Sequence, residues 1–145
     1  MPMATVPVVR VSEGDIPADR RRGGEVRVLL SPKTVGSTSG FGGTLTLGPG
    51  EYVCEHTHPH SEEFVYVVQG AVVMRVGTRE VELAAGDALV VPVGERHRIR
   101  NDGAETARAV FHLGPLAPRP ELGHVDLEQL PVPAEGPASQ VGGAR

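Results

Sequence analysis

The spacing of turn-forming residues is the feature that most constrains how this chain can fold. From residue 25 to residue 113, short segments rich in β-forming residues alternate with Gly, Pro, Asn and Asp. This spacing is typical of the strands of a sandwich or barrel rather than of long helices. The segments that we predict to be strands are Glu25–Leu30, Thr44–Leu47, Tyr52–His58, Phe64–Val68, Ala71–Val76, Arg79–Leu83, Ala88–Val91, His97–Arg100 and Thr106–Leu113.

Length and composition agree with a single all-β domain. The 145 residues suffice for one ordinary domain, and 19 Gly with 13 Pro supply many turns. We predict an N-terminal arm over 1–24, a barrel domain over 25–116 and a C-terminal extension over 117–130. The remainder, 131–145, is too poor in apolar residues to order itself, and we expect a flexible tail there.

Charge and hydropathy exclude two classes of partner. The net charge of −4 provides no basic field for nucleic acid. No apolar run approaches the ~18 residues that a membrane span needs, and the start of the chain lacks the features of a secretory signal. We therefore expect a cytoplasmic protein that binds neither nucleic acid nor membrane. Its single cysteine, Cys54, cannot form an internal disulfide.

Two histidines in a predicted strand form the first half of a candidate metal site. His56 and His58 are two residues apart, so in a strand both imidazoles project from the same face. Tyr52 and Cys54 share this parity, and we expect them on the same interior face.

Two further polar residues are in phase with apolar neighbours and should also face inward. Glu63 is in phase with Val65 and Val67, and His97 is in phase with Ile99. Imidazoles joined by one carboxylate favour one divalent transition metal, such as zinc, iron, nickel, manganese or copper, over calcium or magnesium.

His112 is a third type of candidate. A hairpin that turns at Asn101–Gly103 would place the strand of His112 beside His97, with His112 on the inner face. There it would be either a buried core histidine or a further ligand, which adds a nitrogen or displaces Glu63 from the metal. The residues alone leave open whether Glu63 or His112 is the fourth ligand.

The remaining histidines and one arginine run have simpler interpretations. We expect His60 and His124 to be surface residues. The run Arg20–Arg22 is either solvated surface charge or a group that grips a substrate or acidic partner.

The histidine and glycine spacing resembles the two signature motifs of the cupin superfamily. The matching residues are Gly50, His56, His58, Glu63, Gly70, Gly86, Pro92, Gly94, His97 and Asn101. The resemblance implies a double-stranded β-helix, a jelly-roll-like barrel that holds a metal ion in its interior.

The flanks resemble a narrower group, the small cupin-type cyclases of bacterial aromatic polyketide pathways. The segments that carry this resemblance are Arg21–Gly24, Leu30–Pro32, Thr34–Phe41 and Phe111–His124. It implies a homodimeric enzyme, with zinc as the favoured ion and iron, nickel or manganese as alternatives. The implied substrate is a poly-β-ketone, which an acyl carrier protein could carry.

These features lead to a functional hypothesis, a metal-dependent cyclase that closes a ring by a regioselective aldol-type reaction. The ion, held in part by His97, would act as a Lewis acid. A metal-bound hydroxide, Glu63 if it is not a ligand, or His112 could take the proton. The same ligands would serve a cupin oxygenase that acts on an aromatic polyketide intermediate. A non-catalytic cupin that binds a small molecule is a third alternative.

Overall fold

Strands dominate the structure. The computed structural model describes residues 7–131 and 137–142. Its strands in chain order are β1 (Glu25–Leu30), β2 (Phe41–Leu47), β3 (Tyr52–Thr57), β4 (Glu62–Gln69), β5 (Ala71–Val76), β6 (Arg79–Ala84), β7 (Ala88–Val91), β8 (His97–Arg100), β9 (Ala107–Gly114) and β10 (Val125–Asp126). The described helical elements are one turn, α1 (Pro32–Val35), and two 3-10 turns, Glu13–Asp15 and Pro120–Leu122. None of these is long and apolar enough to cross a bilayer. The all-β prediction is confirmed.

The predicted strand bounds agree closely with the structure. β1, β5, β7 and β8 have the predicted bounds, and β2, β3, β4, β6 and β9 differ at one or both ends. β10 was not predicted. The largest difference is in β2, which begins at Phe41 rather than at Thr44. A Cβ atom on Gly43 would lie 1.8 Å from the carbonyl oxygen of Arg27 in β1. Glycine therefore allows the close approach of the two strands in a segment that precedes the predicted strand.

The strands form two antiparallel sheets of five strands. Sheet A has the order β1-β2-β9-β4-β7, and sheet B has the order β10-β3-β8-β5-β6. The inner faces of both sheets supply one core. Its buried members are Leu45, Leu47, Val53, Val65, Val67, Val72, Met74, Leu83, Val91, Ile99, Ala107 and Ala109. A fully buried aliphatic side chain contributes about 1.5–3 kcal/mol relative to exposure, so this core provides the rigid frame for the polar groups described below.

A bulge in β3 overturns part of the parity prediction. β3 advances three residues from Val53 to His56 while the paired strand β8 advances two. The extra residue places Val53 in the core and turns Tyr52 and Cys54 outward. There the Cys54 thiol donates a hydrogen bond to the carbonyl of Gln129. The expectation that Tyr52 and Cys54 share the interior face of His56 is therefore wrong.

The connection from β8 to β9 is not the hairpin that the sequence suggested. β8 pairs with β3 and β5 in sheet B, whereas β9 pairs with β2 and β4 in sheet A. Asn101 holds this crossing, because its buried amide donates to the carbonyls of Leu47 at 2.9 Å and Glu105 at 2.8 Å. His112 consequently does not lie beside His97.

The N-terminal arm packs against the strands. Asp19 forms an isolated bridge with Val26 of β1, and the carbonyl of Arg22 accepts a hydrogen bond from the Cys54 amide in β3. Gly23 makes this path possible, since its φ is +100° and a Cβ atom there would overlap the Tyr52 carbonyl. The arm is thereby fixed against β1 of sheet A and β3 of sheet B.

The predicted flexible tail, 131–145, lies partly outside the described residues. In its described part, Ser139 donates two hydrogen bonds to Asp19, and the carbonyl of Gln140 accepts one from Ser31. These contacts hold this part of the C-terminal segment against the barrel. Flexibility of the rest stays a prediction.

Candidate metal centre

Three histidines and one glutamate converge between the sheets. His56 in β3 lies directly opposite His97 in β8, His58 follows at the end of β3, and Glu63 reaches across from β4 of sheet A. Their candidate ligand atoms all lie within 4.8 Å of one another. All three histidines are buried, with exposed fractions of 7% or less. The inward direction predicted for His56, His58, Glu63 and His97 agrees with this arrangement.

Backbone carbonyls orient all three imidazoles. The Nδ1 atoms of His56, His58 and His97 lie 2.6, 2.9 and 3.0 Å from the carbonyl oxygens of Cys54, Gly123 and Glu95, respectively. A carbonyl only accepts, so each Nδ1 carries the ring proton and each Nε2 keeps a free lone pair. This arrangement is how proteins prepare histidines to bind a metal.

Two of these nitrogens lack a partner in the described part of the protein. The Nε2 atoms of His58 and His97 are fully buried without a hydrogen bond. The nearest Glu63 oxygen is 3.9 Å from the first and 2.9 Å from the second, but even the shorter approach lacks hydrogen-bonding geometry. Buried polar atoms without partners are costly. Their convergence on one carboxylate fits a divalent transition metal, which would satisfy them together.

Electrostatics keep three of the four donors, His56, His58 and Glu63, in the forms that a metal needs. Burial lowers the pKa of His58, and burial together with the neighbouring His97 holds the pKa of His56 well below its usual value. Burial alone would raise the pKa of Glu63, but the adjacent imidazoles His97 and His58 outweigh it and lower that pKa. For His97, burial acts downward but the contact with Glu63 prevails and raises the pKa. His56 and His58 are thus neutral near pH 7 and Glu63 is ionised.

A cavity of about 340 Å³ extends from these residues into the barrel. Its walls are mainly apolar, and residues from both sheets contribute, among them Val28, Leu45, Met74, Ile99 and Phe111. The four candidate ligands therefore form the polar end of an otherwise apolar cavity. Such a cavity is suited to holding a small organic molecule next to a bound metal ion.

His112 is not part of this centre. It lies in β9 between Gly42 of β2 and Phe64 of β4, on the outer face of sheet A, and its side chain is exposed. The inner face of β9 carries Phe111 and Leu113 instead. The hypothesis that His112 binds the metal or takes a proton is wrong, because the chain crosses to sheet A after β8.

His124 is a residue of the site that the sequence argument missed. It was expected to be a surface residue, and His60 is indeed exposed. The His124 ring, however, stacks on His56 with centroids 4.4 Å apart and planes 13° apart, and it lines the cavity. Burial and the nearby Arg22 lower its pKa to about 4. Only its position in the Phe111–His124 flank, which carried the family resemblance, could have indicated a role.

The arginine run is neither free surface charge nor an unpaired cationic grip. Arg20 pairs with Glu25 at 2.5 Å, and Arg21 pairs with Asp19 at 3.0 Å. Arg22 pairs with Asp126 at 2.8 Å. Arg21 and Arg22 line the cavity with their charges already matched.

Two sheets that enclose three histidines and one glutamate at the end of an apolar chamber define the class of protein. Residues 43–113 match the cupin domain family, and the chain belongs to the cupin superfamily.

The relatives narrow this class to cupins associated with polyketide synthases. Tetracenomycin polyketide synthase protein TcmJ from Streptomyces glaucescens is 49% identical over 134 residues, which cover 92% of this chain and 89% of TcmJ. Protein SchB from Streptomyces halstedii is 55% identical over 119 residues, which cover 82% of this chain and 86% of SchB. The solved structure of the polyketide cyclase RemF from Streptomyces resistomycificus matches with a TM-score of 0.64 at 22% identity, over 74% of this chain and 80% of RemF. That likeness supports the fold, and the predicted family resemblance is confirmed.

Proposed function

We propose that this protein is a metal-dependent polyketide cyclase, which catalyses the regioselective aldol-type ring closure of a poly-β-ketone in aromatic polyketide biosynthesis. The observation that carries the proposal is the position of two unpartnered, buried imidazole nitrogens, those of His58 and His97, at the polar end of an apolar cavity. The relationship to TcmJ, a polyketide synthase protein, supplies the substrate class. We place the reaction in the cytoplasm, beside the synthase.

The proposed cofactor is one divalent metal ion, held by His56, His58, Glu63 and His97. Zinc is the ion that we favour, and the same donors also suit iron, nickel or manganese. A bound ion of this kind supplies Lewis acidity toward the oxygens of a β-dicarbonyl group.

The residues of the chain would position and protect the substrate. Walls formed by side chains such as Leu45, Met74 and Phe111 exclude water, which strengthens every electrostatic interaction at the polar end. The same walls would hold a flexible ketide chain in one folded conformation, which brings one particular pair of carbon atoms together and so selects the ring that closes. With His112 on the outer face, Glu63 remains as the predicted carboxylate beside the cavity, where its lowered pKa keeps it ionised and able to bind the ion.

We further propose that the protein acts as a homodimer, and that the second copy covers the outer face of sheet A. Phe64 and Tyr66 are 54% and 49% exposed, and cross-strand pairing places Val90 and Val110 beside them. At about half of the 150–250 Å² that an aromatic side chain can bury, the two rings alone expose roughly 200 Å². This patch has the composition of the centre of an interface that buries about 800 Å² per partner.

Charge favours a second copy over an acidic carrier protein on this face. The cations at its rim are already paired, since Arg27 pairs with Glu25 and Arg108 pairs with Glu13. An acidic partner would find no unmatched arginine in these two pairs, whereas an identical apolar face requires none.

An oxygen-free assay tests the proposed reaction. The zinc-loaded protein is supplied with a poly-β-ketone that its synthase and carrier protein generate in place. Ring-closed product should form in a pattern that differs from the spontaneous mixture. If the pattern equals the enzyme-free control without oxygen and changes once oxygen is admitted, the protein is an oxygenase instead. If neither condition changes the pattern while the ligand still binds, the cupin is a non-catalytic binding protein.

A further inference from the structure

One short segment contacts the metal-competent histidines without belonging to the donor set. The carbonyl of Gly123 accepts the hydrogen bond from His58 Nδ1, and the next residue, His124, stacks on His56. β10 fixes this placement, because Asp126 pairs in register with His56 of β3. The segment therefore forms one wall of the cavity immediately beside the candidate metal centre.

A chain of polar contacts fixes the His124 ring. Its Nε2 atom is 2.7 Å from an Asp126 oxygen, and Asp126 in turn accepts from Arg22 at 2.8 Å through Nε and at 3.5 Å through Nη2. Arg22 itself is anchored, since its carbonyl accepts from the Cys54 amide. Two segments that are about a hundred residues apart thus meet to hold one imidazole.

The partner of Nε2 determines what the other ring nitrogen can do. Asp126 faces the Arg22 guanidinium and is a carboxylate, which only accepts, so Nε2 of His124 must carry the ring proton. Nδ1 then has a free lone pair, and it makes no hydrogen bond within the described residues. The side chain is 22% exposed and lines the cavity, so a molecule in the cavity can reach it.

We propose that His124 is a substrate-contacting residue, whose Nδ1 accepts a hydrogen bond from an enol or phenol hydroxyl of the substrate beside the metal centre. Asp126 and Arg22 are positioning residues, which fix the tautomer and orientation of His124. The proposal rests on the proposed function for the class of substrate, because poly-β-ketones and their ring-closed products carry such hydroxyls. The role of His124 differs from that of His56, His58 and His97, whose Nδ1 atoms all donate to backbone carbonyls.

Two matched probes test this contact without turnover. 1-Naphthol offers one hydroxyl on an apolar bicycle, and 1-methoxynaphthalene has the same shape without the donor. Because the protein has no tryptophan, naphthalene fluorescence can be followed directly. The variant His124→Phe keeps an aromatic ring against His56 but removes Nδ1. Its affinity for 1-naphthol should fall about 3- to 10-fold, the effect of one neutral hydrogen bond, while its affinity for the ether changes less than about 2-fold.

A second variant addresses the positioning role. In Asp126→Ala, the carboxylate oxygen that accepts from both Arg22 Nε and His124 Nε2 is absent. The ring proton is then no longer fixed on Nε2, so Nδ1 is no longer held as an acceptor. Selectivity for 1-naphthol over the ether should fall as in His124→Phe, with unchanged metal content. His112→Phe makes the same substitution at an exposed histidine and should leave both affinities unchanged.

Several results would overturn the proposal. Unchanged 1-naphthol affinity in His124→Phe would show that the ring does not contact the ligand, and loss of stoichiometric metal in that variant would make His124 part of the metal centre. A wild-type protein that binds neither probe would overturn both this contact and the proposed substrate class. The two proposals can fail separately. If selectivity for 1-naphthol depends on His124 but the protein fails the oxygen-free cyclisation assay, the contact is supported and only the proposed reaction is refuted.

Discussion

The outer face of sheet A carries Phe64, Tyr66 and Val110, whereas the outer face of sheet B carries ion pairs. On sheet B, Arg98 pairs with Glu128, and Arg75 pairs with Glu55. The charges of sheet B are matched within the chain, partly by the C-terminal extension that reaches Glu128. On sheet A the N-terminal arm reaches only the rim, where Glu13 pairs with Arg108, and Phe64, Tyr66 and Val110 stay exposed. The outer face of sheet B is thus covered within a single chain, whereas the apolar outer face of sheet A is where we propose that a second copy binds.

The inner faces differ in a related way. Sheet B supplies the three imidazoles: His56 and His97 pair directly across β3 and β8, and His58 follows the end of β3. Sheet A supplies Glu63 from the opposite side. The histidine set therefore depends on local pairing within sheet B, and the carboxylate depends on how the two sheets pack.

The largest effect is expected from removing ligands of sheet B. The double variant His56→Ala/His58→Ala should lose stoichiometric metal completely, because two nitrogen donors disappear from one strand. Metal analysis of protein purified without chelator measures this. Glu63→Gln should weaken metal binding less, since the imidazoles remain.

The control for this prediction is His112→Ala on the outer face of sheet A, which should retain all of the metal. Full metal retention in the double variant would refute the site, and loss in His112→Ala would contradict the assignment of His112 to the outer face.

A charge on the outer face of sheet A should produce the second largest effect. In a two-fold interface, Phe64→Glu removes two aromatic contacts and buries two carboxylates, so the dimer dissociation constant should rise at least ~100-fold. Val93→Glu is a matched control, because Val93 is also 54% exposed but lies in a turn outside this face. Light scattering at micromolar concentration distinguishes the variants. A monomeric wild-type protein would remove the proposed role of this face.

Much of this architecture could be predicted from the sequence, because the relevant signals are local. Segments with clear alternation and glycine-rich turns, such as Ala71–Val76 and His97–Arg100, coincide with strands. The inward direction of Glu63 and His97 followed from apolar neighbours of the same parity. These predictions need only the two-residue period of a strand, which no distant contact alters.

The errors came from features that the alternation does not determine. Nothing around Cys54 indicates the bulge, which reverses parity within one strand. For β9 a signal existed: Ala107, Ala109 and Phe111 form an apolar set that excludes His112 from the inner face. His124 could not be placed, because a two-residue strand with a long-range partner leaves no periodic pattern.

The contacts of Asp19 that hold the N-terminal arm and Ser139 against the barrel should respond to acid. Burial would raise the pKa of Asp19, but hydrogen bonds from Arg21 and Ser139 lower it to about 2 from 3.8. A depressed folded-state pKa gives stability that is present above about pH 4 and is lost as the pH falls toward 2. After allowance for solvent screening, we expect a contribution of about 1–2 kcal/mol. Urea unfolding at pH 6 and pH 3 should show this loss, and Asp19→Asn should reduce the difference between the two pH values. An unaltered difference in Asp19→Asn would assign the acid sensitivity to other carboxyl groups.

The smallest effect is expected where the outer face of sheet B is already complete. Glu128 accepts from Arg98 at 2.9 Å and also from the Glu55 amide, and Arg98 lies 4.1 Å above the Tyr52 ring. Because these groups are partly solvated, Glu128→Gln should reduce the free energy of unfolding by only about 0.5–1 kcal/mol, with no change in oligomeric state. Arg98→Lys keeps the charge but loses the planar contact with Tyr52, so it should cost a similar amount. Urea denaturation measures both, and sedimentation measures the mass. A change from dimer to monomer in either variant would place the interface on sheet B, and the contrast between the two outer faces would then be reversed.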